Sequence, residues 1–114
     1  MDTHEKLKEI RSEYKQYLTE KHPEWSESTV STHVSDACYI WNNTVIPGFW
    51  KVFVDDKSME YARESIRDFL KNETKSETYE ERTKGYFKDL QMMKEFFDTV
   101  HGGVKNRIGD EFDA

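Results

Sequence analysis

Between residues 79 and 101, apolar side chains return at alternating intervals of four and three. Tyr79, Thr83, Tyr86, Leu90, Met93, Phe97 and Val100 carry the repeat, and Phe87 and Phe96 widen it. An α-helix turns once every 3.6 residues, so this spacing gathers these groups on one side. The stripe is broader than a coiled-coil seam, which points to packing inside a globular domain. Thr78 and Glu81 stand at capping-box spacing before it, and Gly102–Gly103 supply a residue able to turn left-handed at its end. A long helix over 79–101 therefore anchors any fold open to this chain.

Three more amphipathic segments precede it. A first helix is predicted over about Thr3 to Lys21, with Leu7, Ile10, Tyr14, Tyr17 and Leu18 inward, Asp2 and Glu5 as a capping box, and Pro23 as its stop. A second runs from Ser26, its N-cap, to about Asn43 and turns Val30, Val34, Ala37, Cys38 and Trp41 inward. Trp25 and Val30 have hydrophobic-staple spacing at its start. A third spans about Ser58 to Asn72, with Met59, Ala62, Ile66, Phe69 and Leu70 inward and alternating charges outside. Residues 44–57 are too apolar for a free loop. They predict a short helical turn after Pro47–Gly48, with a short strand as the alternative. The expected fold class is all-α, with four main amphipathic helices plus a short connecting helical turn. Residues 1–103 form one domain on this reading, and 104–114 a flexible tail.

Composition supports a packed core. Charged residues reach 35% of the 114, but 7 Phe, 6 Tyr and 3 Trp are more aromatic groups than a disordered chain of this length carries. Cys38 is the only cysteine, so no intrachain disulfide forms, and neither a leader-like N-terminus nor a bilayer-length apolar run is present. A soluble, cytoplasmic protein without a membrane partner is expected.

No constellation of catalytic residues stands out. Cys38 falls on an inward stripe and reads as a buried structural thiol. His4, His22, His33 and His101 include no pair at i+3 or i+4, which argues against a helical metal site. His33 and Asp36 have the spacing of a surface hydrogen bond. Gly102–Gly103 follow a helix rather than open one, unlike a phosphate-binding loop. The expectation is a non-enzyme with no cofactor, no metal and no small-molecule substrate.

The net charge of −6 opposes indiscriminate binding to polyanions. Residues 23–43 contain no Lys or Arg. Their helix instead carries Ser28, Ser31, Thr32, Ser35 and Asn42, groups that can contact phosphates or bases. The densest local cations are Lys75, Arg82, Lys84 and Lys88, mixed with Glu73, Glu77, Glu80, Glu81 and Asp89.

Several pieces occur in an order that resembles a known domain. They are Tyr17-Leu18 before a turn, Trp25 to Asp36 opening the second helix, Ile66-Arg-Asp-Phe69-Leu70, Ser76-Glu-Thr-Tyr79, and Tyr86-Phe87 followed by Leu90 and Phe96-Phe97. Over roughly residues 10–98 the chain is similar to the N-terminal, SAM-like core-binding domain of tyrosine recombinases and phage integrases. The resemblance implies a SAM-like orthogonal helical bundle that clamps one side of duplex DNA. Strand cleavage in that family belongs to a separate domain, so the resemblance implies no recombinase activity here.

Two functions of different class follow as expectations. One is a non-enzymatic accessory domain of bacterial mobile-element type with modest DNA binding, through Lys75, Arg82, Lys84 and Lys88 with Ser28, Thr32 and His33 facing the same duplex. The other is a protein–protein interaction module on the same scaffold, in which exposed Phe49, Trp50 and Phe53 would form the partner-binding patch.

Overall fold

The computed structural model describes residues 3–39, 49–109 and 112. Within them the chain is all-α, without strands. The helices are α1 (Thr3–Lys21), α2 (Glu27–Ala37), α3 (Asp56–Asp68), α4 (Tyr79–His101) and α5 (Val104–Ile108). A 3-10 helix, Phe49–Phe53, leads into α3, and a π turn, Phe69–Glu73, follows it. No helix among the described residues is long and apolar enough to cross a membrane.

α1 buries Leu7, Ile10, Tyr14 and Leu18 along one stripe. Beyond it, the Trp25 amide donates to the His22 carbonyl at 3.0 Å and closes the turn around Pro23. Ser26 then caps α2, and its Oγ accepts the Thr29 amide at 3.1 Å. This bond satisfies one of the amides that a helix start leaves without an intrahelical acceptor. Val30, Val34, Ala37 and Cys38 are buried as the pattern predicts. α2 ends at Ala37; the expected continuation to Asn43, the Asp2 half of the first capping box and Trp41 lie outside the described residues.

The short helical turn expected after Pro47–Gly48 is the 3-10 helix, and it lies in the core. Phe49, Trp50 and Phe53 are 3%, 3% and 1% exposed, which corrects the expectation of an exposed aromatic patch. Five residues placing four large apolar groups inward cannot leave any of those groups on a binding surface. Phe53 packs 5.3 Å from the Phe97 ring, and Trp50 meets Phe97 edge-on at 6.4 Å. Asp55 caps α3 by accepting the Ser58 amide at 2.7 Å, a bond that holds its carboxyl below the usual range.

α4 packs against α1, α2, α3 and α5 and so forms the centre of the fold. Leu90, Met93, Phe96 and Phe97 are each at most 1% exposed, and the Phe96 ring packs tilted at 47° against Tyr14 of α1, 5.1 Å away. Burying each such side chain contributes roughly 1.5–3 kcal/mol. The phase drifts at the far end, where Val100 is 48% exposed rather than inward. Thr78 precedes α4 but makes no side-chain cap bond, so the expected capping box is absent. Gly102 ends the helix at φ 73°, with its amide donating to the Asp98 carbonyl.

The tail expected after residue 103 is also corrected. Val104 and Ile108 of α5 are buried, and so is Phe112, with Lys105 5.1 Å above its ring. Arg107 Nε donates to Glu13 Oε2 at 3.0 Å, and His101 bonds the other oxygen of the same carboxylate. Glu13 thereby clamps both α4 and α5 to α1.

Candidate functional site

Ser28 and Thr32 are exposed on the outer side of α2, and the Thr32 hydroxyl is spent on the Ser28 carbonyl at 3.0 Å. His33 lies one residue further and points away from them. Its Nδ1 is 2.7 Å from Oδ1 of Asp89 on α4, rather than bonded to Asp36. Lys75 is exposed at φ 56° in the turn before α4. Arg82 donates to the Tyr86 hydroxyl at 3.3 Å and lies 5.9 Å over the Tyr86 ring. Lys84 and Lys88 are exposed one turn apart on α4 and share a helix side that Arg82 does not. The residues grouped by the sequence as one DNA-facing set thus divide among different surfaces.

A different cluster forms where the α1–α2 turn meets α4. The Trp25 indole is held between two imidazoles. His22 stacks on one face at 3.8 Å and 9°, and His33 on the other at 4.5 Å and 19°. Ser26 fixes the turn that delivers Trp25, and the α2 helix carries His33 two turns onward to meet it. Trp25 therefore packs on these rings instead of working only as a staple to Val30. Asp89 beneath His33 is 5% exposed. Burial, opposed by the His33 bond, raises its carboxyl above the ordinary range, and neighbouring Asp36 adds to the rise. Asp36 is itself raised by burial.

Next to this stack lies a groove of about 300 Å³. Tyr17, Leu18, Trp25 and Met92 give it apolar walls, and Lys21, Lys88 and Glu95 stand on its rim. Lys21 is committed, because its Nζ donates to Glu95 Oε1 at 2.8 Å and to the Tyr17 hydroxyl at 3.2 Å. Lys88 makes no ion pair among the described residues.

An Asp–His pair can orient an imidazole for proton transfer. Among the described residues, however, no serine, threonine or cysteine hydrogen-bonds to His33. The one thiol, Cys38, is fully buried, and burial pushes it up to about 11 against a small opposing effect of Arg11. No group of three His, Cys, Asp or Glu residues among those described could hold a metal ion.

Sequence reasoning missed Trp25, His22, Asp89 and Met92 as parts of one site. One signal was present. Asp89 shares the inward phase of Tyr86, Met93 and Phe96, and a carboxylate at such a position calls for a polar partner. Neither protein-family models, nor curated proteins, nor solved structures contain a match to this chain.

Proposed function

We propose that the chain is a non-enzymatic helical module that binds another polypeptide. The groove beside Trp25 carries the proposal, because it joins apolar walls to a charged rim, the composition of a side-chain docking site. The distribution of charge agrees with this reading. Lys15 pairs with Glu27, Arg63 with Glu60, Arg67 with Glu80, Lys94 with Asp98 and Arg107 with Glu13. Cations neutralised in place by carboxylates give a poor track for a duplex backbone. Selection from an unbiased displayed-peptide library tests the reading. Enriched sequences that bind the purified chain at micromolar concentration are expected, and a selection without enrichment removes the proposal.

One observation favours modest DNA binding by an integrase-like accessory domain as a second reading. Arg11 of α1 flanks the hydroxyl-rich side of α2, and its Nη2 donates to Ser35 Oγ at 3.3 Å. Anisotropy with a labelled duplex at low salt distinguishes the two, since nonspecific duplex binding is strongest there. Saturation in the micromolar range would select the DNA reading.

A further inference from the structure

We propose that the groove beside Trp25 accepts an acidic peptide segment that anchors one large apolar side chain, and that Lys88 and Lys84 receive its carboxylates. The proposal rests on the polypeptide-binding reading and specifies the partner. Three observations carry it. First, the groove holds about 300 Å³ between Tyr17, Trp25 and Met92, the lower end for a ligand site, which suits a single bulky side chain. Second, the rim is electrically uneven. Lys21 and Glu95 neutralise each other at one end, whereas Lys88 at the other end makes no ion pair among the described residues. Third, Lys84 stands one helical turn before Lys88, exposed and likewise without an ion pair among those residues, so the cationic end continues along α4. Glu81 lies a further turn back and limits the basic strip to these two lysines.

The pairing of an apolar slot with a two-lysine ramp separates peptide from nucleic acid. A duplex backbone satisfies the lysines but has no side chain to fill the slot. Both faces of the Trp25 ring are covered by imidazoles, so the indole offers no open platform for stacking a base. An aspartate- or glutamate-rich segment next to a Phe or Leu satisfies both requirements.

The test uses the full chain and labelled peptides in which an Asp-Asp-Glu run precedes or follows Leu-Phe, in fluorescence anisotropy. Three controls are a peptide with both apolar residues replaced by Ala, one with Lys in place of the acidic run, and a short mixed-sequence duplex. The acidic Leu-Phe peptide is expected to bind tightest, with affinity falling as salt rises. Lys88→Glu is expected to weaken it on the order of tenfold, Lys84→Glu less, and Lys57→Glu on α3 not at all. Circular dichroism verifies that each variant is folded. Lys88→Glu within about twofold of wild type, equal binding of the Ala peptide, or displacement of the peptide by the duplex would each overturn the proposal. Failure of acidic peptides while an unbiased selection yields neutral or basic binders overturns only the partner specified here. Failure of all peptides overturns the interaction module with it.

Discussion

Nδ1 of His33 lies 2.7 Å from Oδ1 of Asp89, tying α2 to the middle of α4 at the edge of the core. Burial raises the Asp89 carboxyl, so the folded protein holds that proton more tightly than the unfolded chain. Between the ordinary carboxylate value and the raised one, the native state binds more protons, and this contribution to stability is lost as pH rises through that window. Asp89→Asn cannot ionise. The stability of wild type relative to Asp89→Asn should therefore fall as pH rises above the ordinary carboxylate range, about pH 4. Urea midpoints of both proteins at rising pH measure it. A relative stability that rises with pH would mean that the His33 bond outweighs burial.

Leu90 is 1% exposed at the centre of the helix that touches most of the others. Leu90→Ala should cost about 2–5 kcal/mol through lost burial and a residual cavity. Lys88→Ala removes an exposed side chain and should stay within about 0.5 kcal/mol of wild type. Equal urea midpoints for the two variants would contradict this core.

The Cys38 thiol is fully buried and pushed up to about 11, so two effects suppress its reactivity together. An aromatic disulfide reagent at about pH 8 should label the native protein far more slowly than the chain in urea. The labelling rate should follow the unfolding transition. Native labelling at the rate of a free thiol would show that the α2 end opens without global unfolding.

Val104, Ile108 and Phe112 dock the last helix, and Glu13 clamps it through Arg107 and His101. Ile108→Ala should cost about 2–5 kcal/mol. It should also speed tryptic cleavage after Lys105 and Arg107, because a detached α5 exposes both sites. Glu13→Gln keeps the shape but weakens two charge-assisted bonds, and a loss of about 1 kcal/mol is expected for this half-exposed carboxylate. Unchanged cleavage in Ile108→Ala would mean that α5 does not depend on its apolar contact.

The long elements were legible because their evidence is local. α1 and α4 have the expected bounds, since many turns of periodic pattern average out single exceptions such as Val100. α5 was not legible. Val104 and Ile108 are one i, i+4 pair, too short to distinguish a helix from chance, and only the surface they cover reveals their place. The candidate site was hidden for a related reason. The spacing of His33 and Asp36 is visible in the sequence, but the bond actually made spans 56 residues to Asp89. Trp25 looked like a local staple because the imidazoles on its two faces come from different segments. Side chains gathered from a turn and two helices leave no shared spacing to read.

The π turn after α3 gives the chain a place, among the described residues, where its length can change. Thr74 donates to the Phe69 carbonyl at 3.2 Å, five residues back, so this turn holds one residue more than an α-turn. Deleting exposed Asn72 would let it reclose as an ordinary turn while Leu70, upstream of the cut, stays buried. The same deletion inside α4 would rotate every later side chain by about 100° and swing Phe96 and Phe97 out of the core. Insertions and deletions in related chains would on this ground gather at 71–74 and spare the helix that follows.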